Sequence, residues 1–366
     1  AFIVIYLLCL LGLGLPILIC EYAIGRGSNK SLGSAFKMLS PEGTRWHHFR
    51  WVAYAGNYLL MMFYTMVAGW MLNYFVYSLT GQLSGKNVEQ IGGEFNNMLS
   101  TPSVMIFWTL VVVVISILVC SLGLQKGVEK ISKVMMILLF ALMIIMAVNS
   151  LLLDGSSEGL KFYLVPDFSK MKEQGIGNVV FAAMSHAFFT LGLGIGSMEI
   201  FGSYLSRDCK LTGESINVVI LDTVVALTAG IIIIPACFAY GINPGAGPSL
   251  LFITLPNVFN QMPGGVIWEV LFFIFMAFAA LSTVIAVYEN IIAMTMDLFN
   301  CSRKRASLVN LFVISVLCIP AVLGYNVLSG VQPLGAGTTI MDLEDFIVSY
   351  NLSLIHISEP TRLRCI

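Results

Sequence analysis

Apolar residues fall along this chain in long, nearly unbroken runs. There is no alternation of the kind a half-buried strand shows, and no narrow stripe of the kind a surface helix shows. The runs cover about residues 1–24, 51–79, 104–121, 131–152, 177–206, 215–241, 265–298 and 306–325, and a ninth begins near Asp342. Nearly all can cross ~30 Å of hydrocarbon as helices, at a rise of about 1.5 Å per residue. Lipid offers no partner to backbone groups, so runs of helical length must close their hydrogen bonds as helices. The pattern predicts an all-α polytopic membrane protein.

Composition agrees. Of 366 residues, 58% are hydrophobic and 11% charged, where a soluble domain carries roughly 25% charged residues. No basic stripe points to nucleic acid. The eight cysteines are scattered, without a CxxC pair, so neither a disulfide framework nor a zinc site is expected. No HExxH, phosphate loop or nucleophile–histidine–acid set is present, which disfavours an enzyme. Lys and Arg set the orientation. Alternate loops hold thirteen of them (Arg26 to Arg50, Lys126 to Lys133, Arg207 and Lys210, Arg303 to Arg305), and the opposite loops hold four (Lys86, Lys161, Lys170, Lys172). The first set is expected in the cytoplasm. The uncharged outer loop 242–263, rich in Pro, Gly and apolar residues, is expected to pack down as a lid or plug.

One run is interrupted. Within "FFTLGLGIGS" (Phe188–Ser197) Gly192, Gly194 and Gly196 stand in five residues, each costing ~1 kcal/mol in a helix interior relative to Ala. A break at membrane depth is tolerated where the freed backbone lines a cavity. Its second half-helix presents amides to an anion, and its first ends in carbonyls suited to a cation. Close packing through small residues competes with this reading. Thr190 sits at the carbonyl end, and Phe188 and Phe189 can cover a ligand. His186, four residues earlier, shares a face with Thr190.

Other polar residues stand inside apolar runs. Asp222 lies in "VVILDTVVALTAG", where a carboxylate costs ~2.5–3.5 kcal/mol on the lenient insertion scale and commonly marks an ion path. A position near the interface is the alternative. Ser282 and Thr283 follow Ala279 by about one turn, and their hydroxyls can bond the carbonyl one turn back and still offer lone pairs to a hard cation such as Na⁺. Glu289 is a second intramembrane acid without an assigned partner. Tyr64 offers an apolar ring with a polar tip.

These pieces, in this order, resemble the neurotransmitter:sodium symporter family in its prokaryotic amino-acid branch. The resemblance runs from residue 1 to about 351. It is carried by "EYAIGR" (Glu21–Arg26), "FFTLGLGIGSMEIFGSYL" (Phe188–Leu205), "LDTVVALTAG" (Leu221–Gly230), "GPSLLFITLPNVF" (Gly247–Phe259) and "FAALSTVIAVYEN" (Phe278–Asn290). It implies a five-plus-five inverted-repeat transporter fold with unwound helices at mid-membrane. Helices two to nine and the start of ten would be present, and the first helix absent. It implies a multi-pass protein of the prokaryotic plasma (inner) membrane that symports neutral amino acids with Na⁺ by alternating access.

Under that resemblance Thr190 and Asp222 match ligands of one sodium site, and Ala279, Ser282 and Thr283 match the second. Tyr64 matches the tyrosine that binds the substrate carboxylate. Leu60, Gly192, Ile195, Thr283 and Val287 match side-chain pocket positions, and Phe189 an aromatic lid. Tyr204 matches an inner-gate tyrosine and Asp345 the acid of the outer gate. His186 stands where Gln is frequent near a chloride position, and Ala226 where some members place Glu or Ser. The small Gly192 and Ile195 leave room for a bulky apolar substrate. A proton-driven broken-helix carrier and a membrane receptor that binds an amino acid without moving it are the rival readings.

The ends carry their own expectations. The chain opens inside an apolar run without Met or a signal n-region, so the true N-terminus is expected upstream, and the chain as it stands is expected not to transport. "LSLIHISEPTR" (Leu352–Arg362) resembles the translation of a widely used transposase sequencing adapter. The transporter domain is therefore expected over 1–351, and 352–366 is expected to be foreign to it, with no function for His356 or Cys365.

Overall fold

The computed structural model describes residues 1–123, 128–241 and 248–352. His356 and Cys365, and the expectation for residues 353–366, lie outside them. Among the described residues every regular element is helical. Seven continuous helices are long and apolar enough to span a membrane. They are α1 (Phe2–Ser28, with a π turn at Leu10–Gly14), α3 (Phe49–Leu79, entered through a short 3₁₀ turn), α5 (Pro102–Ser121), α6 (Lys130–Leu151), α11 (Leu211–Ala239), α13 (Gly265–Phe299) and α14 (Arg303–Leu323). The eighth span is the interrupted one, α9 (Ile176–Thr190) and α10 (Ser197–Tyr204). A ninth starts as α15 (Ile340–Asp345).

Short helices run through the loops: α2 (Leu32–Leu39), α4 (Val88–Ser100), α7 (Ser156–Leu164), α8 (Phe168–Gln174) and α12 (Leu255–Gln261). They fall outside the long apolar runs because they are too short to span. α4 is fixed at its start by a capping box in which Asn87 and Gln90 each take the other's backbone N–H, which satisfies two otherwise orphaned donors.

Burial separates scaffold from lipid face. In α3, 61% of the most apolar window is buried within the protein, and in α13, 50%; the figure is 17% for α11 and 22% for α6. α3 and α13 lie against each other as the central pair, flanked by α5 and α14. Trp70 and Tyr74 on α3 and Phe272 and Phe273 on α13 are fully enclosed. The other helices turn many large apolar side chains outward, such as Phe312 on α14 at 73% exposed. Such an exterior suits a lipid solvent.

Of the loop expected as an outer plug, residues 242–247 lie outside the described residues, and 248–263 pack down onto the protein. Phe252, Leu255 and Val258 are 1%, 1% and 0% exposed, and Phe252 stacks on Phe95 at 5.2 Å between ring centroids and meets Trp70 edge-on at 5.8 Å.

Candidate substrate and ion site

The break between α9 and α10 is the three-glycine stretch. Gly192, Gly194 and Gly196 have φ of 60°, 92° and 76°, the left-handed region where a Cβ is costly. Gly196 is also closely packed, since a Cβ there would come within 2.6 Å of the Leu32 side chain.

The backbone groups freed by the break find partners from other helices. The Gly194 amide donates to Glu21 Oε1 at 2.7 Å. The Ile195 carbonyl accepts from Asn57 Nδ2 at 2.6 Å and from Asn290 Nδ2 at 3.2 Å, and Asn290 Nδ2 also donates to Asn57 Oδ1 at 3.0 Å. One acid on α1 and two amides, on α3 and α13, thus brace the interruption from behind. None of the three was expected from the sequence in this role. "EYAIGR" marked Glu21 as part of a motif but gave no partner.

In front of the break lies a cavity of about 480 Å³, in the size range of small-molecule sites (roughly 300–1,000 Å³). Ten of the residues expected at the site line it: Leu60, Tyr64, Phe189, Thr190, Gly192, Ile195, Asp222, Ser282, Thr283 and Val287. Four separate stretches of sequence, 60–64, 189–195, 222 and 282–287, therefore converge on one space. His186, Leu193, Ser197, Met198, Phe201, Ala286 and Val348 complete the wall. Met198 and Phe201, one turn apart on α10, add apolar surface that the sequence reading did not assign.

The polar groups fall into two clusters. At one, Thr190 Oγ1 donates to Asp222 at 3.1 and 3.2 Å to its two oxygens, and Tyr6 Oη donates to Asp222 Oδ2 at 3.4 Å. Asp222 thus faces inward and not toward the interface. At the other, the Ala279 carbonyl accepts from Ser282 Oγ at 2.8 Å and from Thr283 Oγ1 at 3.3 Å. Thr283 also shares a hydrogen bond with Tyr64. Ala279 itself does not line the cavity, and only its carbonyl joins the cluster. His186 packs its ring on Tyr6, 5.2 Å between centroids.

Two expected gate residues lie away from the cavity wall. Asp345, at the end of α15, accepts from Ser349 Oγ at 2.6 Å. Tyr204, at the end of α10, donates to Glu289 Oε1 at 3.1 Å. Glu289, 0% exposed, has the partner that the sequence did not reveal. Arg303 approaches it with two nitrogens, at 2.7 and 2.8 Å. A bidentate pair of this kind is the strongest form of the carboxylate–guanidinium contact, and it ties α10, α13 and α14 together.

The profile of the sodium:neurotransmitter symporter family matches residues 1–104 and 86–358, in two overlapping pieces. The chain belongs to this family. Among its relatives is the uncharacterized sodium-dependent transporter YhdH of Bacillus subtilis, 36% identical over 349 residues, which cover 95% of this chain and 76% of that one. An uncharacterized sodium-dependent transporter of Haemophilus influenzae is 31% identical over 356 residues, covering 94% of this chain and 77% of its own. The fold matches the crystal structure of MhsT in complex with L-phenylalanine, with a TM-score of 0.87 at 38% identity, over 97% of this chain and 79% of that one. The all-helical transporter fold expected from the motifs is therefore the fold found. The protein is a sodium-dependent transporter of the plasma membrane and not an enzyme.

Proposed function

We propose that this symporter moves bulky neutral amino acids with Na⁺. The reading is carried by one observation, the unwound backbone at 191–196 facing an apolar cavity that also holds Thr190, Asp222, Ser282 and Thr283. The amino acid's carboxylate goes to Tyr64 and to the amides at the start of α10. Its side chain goes between Leu60, Ile195, Val287, Met198 and Phe201. Thr190 and Asp222 bind one sodium ion. The Ala279 carbonyl, Ser282 and Thr283 bind the other. The donor sets suit the ion, since both consist only of hard oxygens. The hydroxyls that now point at Asp222 and at the Ala279 carbonyl would turn their lone pairs to the cation. Phe189 covers the ligand, and Tyr204 and Asp345 belong to the inner and outer gates.

Among the described residues Asp222 is the only acid on the cavity wall and no Lys or Arg lines it. With Asp222 assigned to sodium, no charge is left to pair an acidic or basic side chain. That supports a neutral substrate, and the L-phenylalanine bound to MhsT supports a large one.

The test is uptake into proteoliposomes by a chimera in which residues 1–351 replace the matching segment of the Bacillus subtilis relative. Competition by Leu, Phe or Trp with none by Glu or Lys is expected. Competition by Glu or Lys alone rejects the assignment.

A further inference from the structure

α1 and α10 touch backbone to backbone. A Cβ on Gly25 would fall 1.9 Å from the Glu199 carbonyl oxygen, and one on Gly202 would fall 2.7 Å from Tyr22 Cα. Only glycine permits this approach, and the contact leaves no room for water between the helices. Two acids face into it. Glu21 is 7% exposed and Glu199 is 1% exposed, and the two interact electrostatically. Glu21 Oε1 holds the Gly194 amide. The Met198 amide also faces the Glu21 carboxylate, while Glu21 Oε2 and Glu199 Oε1 are buried without a hydrogen-bond partner.

Neither acid has a cation. Among the described residues the ion pairs are Lys30–Asp297, Lys86–Glu94 and Arg303–Glu289. The other ionisable groups of the packed helices are also accounted for. Cys20 and Tyr22 flank Glu21 on α1, and Tyr22 Oη donates to Met198 Sδ. Arg26 donates to the Cys209 carbonyl, and Lys37 on α2 is exposed. On α11, Glu214 lies within electrostatic reach of Tyr22 and Asp222 is held by Thr190 and Tyr6. On α13, Glu289 is held by Arg303, and Asp297 by Ser31 and Lys30.

Two like charges cannot both persist in a dry, unpaired site, so one carboxyl must keep its proton. Among the described residues no group of three His, Cys, Asp or Glu is placed together here.

We propose that Glu21 and Glu199 share one proton and form a proton-binding site of this transporter, separate from Asp222, whose occupancy sets the grip on Gly194. An ionised Glu21 gives the Gly194 amide a charge-assisted bond, roughly twice as strong as a neutral one. Moving a proton onto Glu21 loosens the unwound segment that faces the cavity. The site exists whether or not the substrate assignment holds; only its use in coupling rests on that assignment.

The experiment uses the 366-residue chain in lipid nanodiscs, so it does not depend on uptake. Infrared difference spectra are recorded between about pH 5 and about pH 9, which brackets the carboxyl and imidazole ranges. The Gly194 amide resonance is followed in parallel on ¹⁵N-glycine-labelled protein. In wild type, the protonated-carboxyl band and the Gly194 resonance should titrate with one midpoint. Glu199→Gln removes the second charge and should lower the proton affinity of Glu21 by at least about tenfold, one pH unit. Glu199→Leu, a variant with no polar group to bury, should shift both signals the same way. Identical titrations in wild type and Glu199→Gln overturn the proposal. So does a Gly194 resonance that ignores the carboxyl band, or a band that Na⁺ removes at constant pH.

Discussion

Glu21 accepts the Gly194 amide at 2.7 Å across 173 residues of sequence, and this bond gives one freed amide of the broken helix a partner. The same turn has its Ile195 carbonyl taken by Asn57 and Asn290. The break is therefore a braced structure with fixed partners. Removing the acceptor leaves a buried N–H unsatisfied, at about 1–3 kcal/mol. Glu21→Ala should lower the thermal unfolding midpoint by an amount in that range, and Glu21→Gln, which keeps an acceptor oxygen, by less. Equal losses in the two variants would mean that packing, and not the Gly194 bond, is what Glu21 contributes.

Gly196 offers a steric test of the same segment. Its φ of 76° disfavours any side chain, and a Cβ would also meet Leu32 Cδ1 at 2.6 Å. Gly196→Ala should destabilise by about 1–2 kcal/mol from backbone strain alone, plus the cost of displacing Leu32. Combining it with Leu32→Ala should recover the second part only. Full recovery in the double variant would show that the left-handed backbone contributes nothing.

The Arg303–Glu289 pair is buried on the acid's side and half-open on the base's. Arg303→Ala should cost about 3–5 kcal/mol, because it leaves Glu289 charged and unpaired in the interior. Arg303→Leu combined with Glu289→Leu should recover most of that. Tyr204→Phe, losing one hydrogen bond to the pair, should cost about 1.5–3 kcal/mol at most, the range for bonds to charged groups. A thermal-unfolding mutant cycle measures the coupling. Additive losses would mean that the pair is not a unit.

Outside the membrane, Lys86 Nζ lies 2.6 Å from Glu94 Oε1, and this hydrogen bond holds the Glu94 carboxyl below its ordinary value. A carboxyl depressed on folding stabilises the fold above its unfolded pKa of about 4.3, and that share is lost as pH falls through the lower folded value. The pair is partly solvated, so its worth at neutral pH is at most about 1 kcal/mol. Lys86→Met should therefore lower the unfolding midpoint slightly at pH 7, and the difference from wild type should vanish at acid pH. A difference that grows on acidification would reverse the sign of the argument.

What could be read from the sequence follows from what lipid demands. Span lengths were legible because hydrocarbon forces long apolar runs, and the break at 191–196 because three glycines within five residues interrupt one of them at membrane depth. Asp222, Ser282 and Thr283 stood out as polar residues in apolar helices. Their partners were not legible. The approach of Tyr6 to Asp222, of Arg303 to Glu289 and of Glu21 to Gly194 depends on how helices cross, which periodicity does not encode. Met198 and Phe201 read as ordinary apolar helix positions until the fold turned that face to the cavity. Short helices such as α4 and α7 were hidden because they do not span.

The central claim is sodium coupling through Asp222. Two sodium ions in adjacent sites of neutral oxygens would leave positive charge uncompensated, and unit charges ~4 Å apart interact by ~4 kcal/mol even at an effective dielectric near 20. Asp222 supplies the compensating charge, so chloride should not be needed. The deciding measurement is uptake of radiolabelled leucine by the chimera in proteoliposomes, as a function of Na⁺, with chloride and with gluconate. Wild-type uptake should saturate with Na⁺ and persist in gluconate. Asp222→Asn should raise the half-saturating Na⁺ at least tenfold, about 1.4 kcal/mol. Uptake without Na⁺, uptake that collapses in gluconate, or an Asp222→Asn protein with unchanged Na⁺ dependence would contradict the account.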